Sequence, residues 1–199
     1  WLVPRFIAWK ANIVLSNSYA TKIMLVKKIS IPEKKIRVLY NGINTLKEYD
    51  HSCHHKKNNL KFRIGFIGRL DSPKGVHVLI DAMHYLKNKN FELVIAGNGI
   101  LESLLRERAS ALNNVSFIGR VKNPYLFMSK IDLLVVPSIR EPLGNVCLEA
   151  GLCRVPVLAA NVDGLPEIIE NKISGELIDA TEEISINTVQ GAISLPEFV

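Results

Sequence analysis

The stretch "DLLVVPSIREPLGNVCLEAGLCRVPVLAA" (132–160) carries the fold in miniature. "DLLVVPS" (132–138) is a near-continuous run of large apolar residues, and "VPVLAA" (155–160) is a second. Short runs without polar alternation suit strands covered on both faces. Between them Pro142 and Gly144 supply a turn, and the apolar pattern from Val146 onward suits a helix over 144–153. Strand, helix, strand is the repeating unit of a parallel sheet.

The same alternation extends in both directions. "KFRIGFIG" (61–68), "FELVIAG" (91–97), "NVSFIG" (114–119) and "GELID" (175–179) read as four more strands. Helices are expected near 74–88, 100–112, 123–130 and 164–171. Six strands alternating with helices predict an α/β fold, a Rossmann-like doubly wound parallel sheet, over residues 61–180. Upstream, "ANIVLS" (11–16) and "KIRVLYNG" (35–42) read as strands around a helix at 18–28. Two strands and a helix cannot enclose a core of their own, so residues 1–42 are expected to be the end of an incomplete domain. Residues 43–60 are polar and aperiodic, as in a linker, and 181–199 form a weakly patterned tail.

No apolar run in the 199 residues approaches the ~18 needed to span a membrane, and there is no signal-peptide layout. The start at Trp1 suggests a piece of a longer protein. The net charge of +6 favours an anionic partner: a phosphorylated ligand, a nucleic acid or a membrane surface. The basic residues are dispersed, without the aromatic-interleaved patches of a nucleic-acid binder, so no nucleic acid is expected. Three cysteines are too few for a disulfide framework; Cys147 and Cys153 read as small buried hydrophobes, which points to a reducing, cytoplasmic compartment. "HSCHH" (51–55) is crowded, lies in the linker and has no second ligand pair, so no metal is expected there.

Ligands of a doubly wound sheet bind at the carboxyl ends of its strands. After the first strand, "GRLDSPKG" (68–75) places Arg69 and Lys74 around a turn into a helix. Two cations and helix N-terminal amides make a diphosphate cradle. A cation opposed to the helix dipole calls for an anion nearby; the plain alternative is two surface cations. "AGNGILE" (96–102) offers Gly97 and Gly99 for a tight turn, but Glu102 breaks a G-x-G-x-x-G fingerprint, and an ordinary loop explains it. Arg120 and Lys122 follow a strand directly, where Val121 and its neighbours could offer backbone groups to a base. In "NVDGLPEII" (161–169), a turn at Asp163-Gly164 and helix capping by Glu167 explain nearly everything.

Glu141 and Glu149 raise the question of an acid–base pair. Eight helical residues rise about 12 Å and leave the ends about 80° apart, whereas glycosidase carboxylates stand about 5–9.5 Å apart. The spacing better suits two carboxylates gripping different hydroxyls of one long ligand, with the helix N-terminus on a phosphate between them. The alternative is one solvated and one helix-stabilising glutamate.

Taken in order, "GFIGRLDSPKG", "LVIAGNG", "VSFIGRV" and "VPSIREPLGNVCLEAGLCRVPVLAANVDGLPEIIENKISGELID" resemble the carboxyl-terminal domain of retaining GT-B glycosyltransferases, family 4 (glycosyl transferases group 1). The E-x7-E element from Glu141 to Glu149 is that family's hallmark, and the resemblance covers about residues 10–180. It implies transfer of a sugar from a UDP-, GDP- or ADP-linked donor with retention at the anomeric carbon, and no required cofactor or metal. By position, Arg69 and Lys74 would hold the diphosphate, and Glu149 the ribose hydroxyls. Glu141 would contact the donor sugar as the catalytic carboxylate nearest the reacting carbon. Backbone amides of Leu143, Gly144, Asn145 and Val146 would meet sugar and phosphate. Gly97 would lie in the donor-binding set, and Arg120 and Val121 would approach the base.

The glycan or lipid-linked acceptor would bind a missing amino-terminal domain. Peripheral association of the longer protein with the cytoplasmic membrane face is compatible with this. The chain departs from the family at Asp163, where glycine is frequent, and after residue 180, where the final crossover helix is absent or altered. The competing readings are a nucleotide-sugar-binding module that is not catalytic alone, an epimerase that converts donor without acceptor, and a nucleic-acid binder with salt-sensitive affinity.

Overall fold

The structure is a computed structural model, and it describes residues 6, 8, 10–43, 61–86 and 90–179. The upstream segment contains β1 (Val14–Ser16), α1 (Tyr19–Ile29) and β2 (Ile36–Val38). The larger part runs β3 (Phe62–Ile67), α2 (Val76–Leu86), β4 (Phe91–Ala96), α3 (Glu102–Arg108), β5 (Val115–Gly119), α4 (Pro124–Met128), β6 (Leu133–Val136), α5 (Asn145–Leu152), β7 (Val157–Ala160) and β8 (Glu176–Ile178). Every expected strand is present. The helices from α2 onward are shorter than expected, whereas α1 has the expected length. The 74–88 span divides into a 3-10 turn Ser72–Lys74 and α2, because Gly75 turns into left-handed backbone at φ 65°.

The six strands from β3 onward form one parallel sheet in the order β5-β4-β3-β6-β7-β8. Counted from β3, the chain builds outward through β4 and β5, then returns to the other side of β3 with β6. That is the dinucleotide-fold order, and its reversal between β3 and β6 opens a crevice at their carboxyl ends. Both sheet faces are covered, which accounts for the uniformly apolar strands. Leu133 and Val135 of β6 face a core built with Val76, Leu79, Ile80 and Met83 of α2 and Leu105 of α3. Leu134 and Val136 face the opposite core, with Tyr125, Phe127 and Met128 of α4 and Cys147 and Ala150 of α5.

The helix expected over 164–171 is corrected to a 3-10 turn, Leu165–Glu167. Leu165, Ile168 and Ile169 have helical spacing and pack into the core. The backbone beyond them finds other partners, however. Glu170 N–H donates to Ser174 Oγ at 2.8 Å, Leu177 N–H donates to Asn171 Oδ1 at 2.8 Å, and Lys172 turns left-handed at φ 64°. These contacts turn the chain into β8 before a second helical turn forms.

Upstream, β1 and β2 pair in parallel around α1 over a small cluster of Ala8, Ile29, Ile31 and Ile36. Ser18 caps α1 by accepting from Thr21 N–H at 2.9 Å, a bond that satisfies an otherwise orphaned donor. A second cap comes from far along the chain. Glu167 accepts from the N–H groups of Tyr19 and Ala20 at 2.8 and 2.7 Å, and from the Tyr40 hydroxyl at 2.7 Å. Glu167 therefore does not serve its own turn, as the sequence suggested. It caps α1 and docks the upstream segment on the sheet domain.

This contact titrates. The hydrogen bond to Glu167 pushes the Tyr40 phenol up to about 12, with burial and the carboxylate's charge adding to it. The folded value lies above the ordinary value of about 10, so the contact contributes fully below that pH and is lost as pH rises through about 12. Glu167→Gln is expected to bring Tyr40 ionisation to lower pH in a phenolate-absorbance titration. An unchanged titration overturns the contact.

Candidate functional site

At the carboxyl ends of β3 and β6 lies an open cleft of about 390 Å³. Its wall contains eight residues expected from the sequence: Arg69, Lys74, Glu141, Leu143, Gly144, Asn145, Val146 and Glu149. The position follows from topology, since the loops after β3 and β6 diverge at the strand-order reversal.

The loop after β3 brings the cations. Lys74 ends the 3-10 turn, and its Nζ donates to Glu141 Oε2 at 2.5 Å. The anion called for by a lysine just ahead of α2 is thus Glu141, 67 positions further along. Arg69 is three-quarters exposed and reaches Asp71 Oδ2 at 3.1 Å. Asp71 Oδ1 is buried without a hydrogen-bond partner.

The loop after β6 brings the carboxylates. Ser138, fully buried, donates its hydroxyl to Glu141 Oε2 at 3.2 Å. Ile139 and Arg140 donate their N–H groups to the Pro73 carbonyl at 2.8 and 3.2 Å, which ties this loop to the lysine loop. Gly75 is obligatory at their junction, because a Cβ there would meet the Pro137 carbonyl oxygen at 1.9 Å. Helix α5 begins at Gly144, whose left-handed backbone (φ 95°) provides no side-chain cap. Its first-turn residues Asn145 and Val146 line the cleft, where helix N-terminal N–H groups lack intrahelical acceptors and favour an anion. Glu149, one turn into α5, lines the same wall.

The two glutamates therefore share one cleft, from opposite ends of a loop-and-helix element. Cys147 points the other way, into the core, where burial and then the nearby Glu141 carboxylate push its thiol up to about 12. It stays protonated and unreactive near neutrality. Cys153, read as a plain buried hydrophobe, is buried and disulfide-bonded.

Three expected residues do not line this cleft. Gly97 follows β4 and lies against the backbone of Gly68. Arg120 and Val121 follow β5 at the sheet edge, two strands from β3; Arg120 is exposed and Val121 packs on the core. The sequence missed Asn17 and Asn41, which line the cleft from the upstream segment. Asn41 donates to Asn145 Oδ1 across it at 3.1 Å. The only signal was Asn41-Gly42, read as a turn. "HSCHH" (51–55) lies outside the described residues. Among the described residues no helix is long and apolar enough to cross a membrane, and no group of three or more His, Cys, Asp or Glu could hold a metal ion.

Comparison with known proteins gives the chain its family. An uncharacterized glycosyltransferase of Methanocaldococcus jannaschii is 34% identical over 177 residues, which is 81% of this chain and 45% of that protein. The capsular polysaccharide biosynthesis glycosyltransferase CapM of Staphylococcus aureus is 29% identical over 194 residues, 90% of this chain and 51% of that protein. Among solved structures, Anabaena HepE in complex with UDP-glucose superimposes with a TM-score of 0.78 at 25% identity, covering 93% of this chain and 57% of that one. The chain spans about half the length of the curated relatives it matches. The family described as glycosyl transferases group 1 matches residues 50–190, which include the whole six-stranded sheet and every cleft residue except Asn17 and Asn41. On that match and those relatives, the chain belongs to the group 1 glycosyl transferases.

Proposed function

We propose that this chain is the donor-binding half of a glycosyltransferase that passes a sugar, with retention, from a nucleoside-diphosphate sugar to a glycan or lipid-linked acceptor. The observation that carries the proposal is the convergence in one cleft of Arg69, Lys74, the start of α5, Glu141 and Glu149. Two cations and a helix N-terminus suit a diphosphate; two carboxylates suit hydroxyls on either side of it. In this reading Arg69, Lys74 and the amides of residues 143–146 hold the diphosphate. Glu149 takes the ribose hydroxyls and Glu141 the sugar hydroxyls beside the reacting carbon. Gly97 keeps the neighbouring strand end close, and the Arg120–Val121 loop approaches the base. As the bond to the sugar breaks, negative charge grows on the leaving diphosphate, and these fixed positive groups stabilise it more than they do the ground state. A developing oxocarbenium-like sugar is stabilised by the Glu141 carboxylate.

HepE's complex with UDP-glucose favours a uridine donor, and the capsular role named for CapM favours a polysaccharide product. Residues 1–42 are then the end of a preceding domain, 43–60 a linker, 61–180 the donor domain and 181–199 a tail. Exposed Ile13, Leu15, Ile23 and Leu39 support this division. They flank a two-stranded parallel sheet, an arrangement normally buried on both faces. The acceptor would bind that preceding domain, at the cytoplasmic side of a membrane.

Titration calorimetry with UDP-glucose, GDP-mannose and ADP-glucose tests the reading. One donor is expected to bind, also in the presence of a chelator. Arg69→Ala and Glu149→Ala are each expected to weaken it about tenfold, the worth of one charge-assisted hydrogen bond. Binding of none, or variants that bind like the parent, overturns it.

A further inference from the structure

We propose that Asp163 is the positioning residue for Glu141, setting sugar recognition without touching the donor; this rests on the donor reading above. Asp163 does not line the cleft. Its Oδ2 accepts the Glu141 backbone N–H at 3.0 Å and the Arg140 Nε–H at 3.0 Å. The next residue completes the clasp, as Gly164 N–H donates to the Glu141 carbonyl at 3.0 Å. Consecutive residues of the loop after β7 thus grip both polar sides of Glu141's backbone. The loops lie in direct contact, since a Cβ on Gly164 would meet the Pro142 carbonyl oxygen at 2.2 Å.

Two features make this more than loop packing. Asp163 holds left-handed backbone at φ 44°, a region that glycine enters freely and that Asp and Asn enter more readily than other side chains. A glycine would fit the backbone there as well, but only a side chain such as that of Asp163 supplies the acceptor for the Glu141 N–H. Moreover, Glu141's carboxylate has Lys74 and Ser138 as partners. Once Lys74 turns to a diphosphate, its grip on Glu141 is released. What still fixes that glutamate relative to the sugar is Ser138 and the clasp from Asp163 and Gly164.

The test compares parent, Asp163→Gly and Asp163→Asn for UDP against UDP-glucose, GDP against GDP-mannose, and ADP against ADP-glucose. For the pair that binds, Asp163→Gly is expected to leave the diphosphate Kd within about twofold and to weaken the nucleotide sugar about tenfold. Its melting temperature is expected to stay within about 3 °C of the parent, strain relief offsetting the lost hydrogen bonds. Asp163→Asn keeps an acceptor for the Glu141 N–H and tolerates left-handed backbone, so its nucleotide-sugar Kd is expected within about threefold of the parent. Equal weakening of diphosphate and nucleotide sugar, or no weakening of either, in Asp163→Gly overturns the positioning role. Failure of every pair to bind the parent overturns the donor reading, and this inference with it. Amide hydrogen exchange at Glu141 in the ligand-free chain gives a second measure: faster in Asp163→Gly, parent-like in Asp163→Asn. Unchanged exchange in Asp163→Gly also overturns the proposal.

Discussion

Replacing Gly97 by alanine is expected to cost about 4 kcal/mol or more of folding stability, a loss reserved for few single substitutions. Gly97 sits at the end of β4 with φ 141°, and a Cβ there would lie 1.8 Å from the Gly68 carbonyl oxygen at the end of β3. Backbone strain alone accounts for about 1–3 kcal/mol. The rest comes from the overlap, which is with backbone and cannot be relieved by a rotamer change. Moving Gly68 away would disturb its N–H bond to Ala96 O at 3.0 Å, and moving Gly97 instead would disturb its N–H bond to Gly119 O at 2.7 Å. The control is Gly119→Ala. Gly119 is also left-handed at φ 71°, but its Cβ would enter open space, so the cost there is only about 1–2 kcal/mol. Urea unfolding of the two variants separates strain from overlap. A Gly97→Ala variant no less stable than Gly119→Ala overturns the close approach. Domain stabilities are about 5–15 kcal/mol, so the larger loss leaves a chain prone to unfold at physiological temperature.

The same glycine shows what was legible in the sequence. Its presence in a strand-to-helix turn was readable, but the reason for it was not. An ordinary loop explained "AGNG", whereas the constraint comes from Gly68, on the neighbouring strand. The six strands were legible because each is a dense apolar run, which only two-sided burial tolerates. Arg69, Lys74, Glu141 and Glu149 could be picked out because strand ends in such a sheet are where ligands bind. Their pairing could not. The Lys74–Glu141 contact joins loops after β3 and β6, and no local signal predicts which loops meet.

Asp163 and Glu167 were hidden for a different reason. Turn and capping chemistry accounted for them locally, so nothing seemed left to explain. Yet Asp163 clasps Glu141, and Glu167 caps a helix about 147 positions away. The supposed helix at 164–171 failed likewise: apolar spacing was right for a helix, but Ser174 captured the Glu170 N–H that a helix needs, and Lys172 turned left-handed. The unexpected disulfide at Cys153 lay beyond an argument from cysteine number alone.

Lys74→Met is expected to weaken nucleoside-diphosphate binding by about 10- to 100-fold, and to destabilise the ligand-free chain as well. Lys74 and Glu141 have side chains only 20% and 10% exposed. Breaking such a pair from one side strands a desolvated carboxylate, with Ser138 among the described residues still donating to it. A lost hydrogen bond between charged groups costs about 1.5–3 kcal/mol, and stranding a buried charge adds to that. The binding loss follows from the same range, converted at about 1.4 kcal/mol per tenfold. Stability and binding fall together in this variant, so it alone cannot distinguish a ligand contact from a structural pair. Adding Glu141→Gln to Lys74→Met removes the stranded charge and is expected to recover most of the lost stability, with the coupling between the two sites above about 1 kcal/mol. It is not expected to recover diphosphate binding, because the cation proposed to face the phosphates is still missing. Glu141→Gln alone should leave diphosphate affinity within about threefold, since the role proposed for Glu141 is at the sugar. Should the double variant regain both stability and binding, Lys74 would be a structural partner of Glu141, and the diphosphate would have to rest on Arg69 and the α5 amides alone.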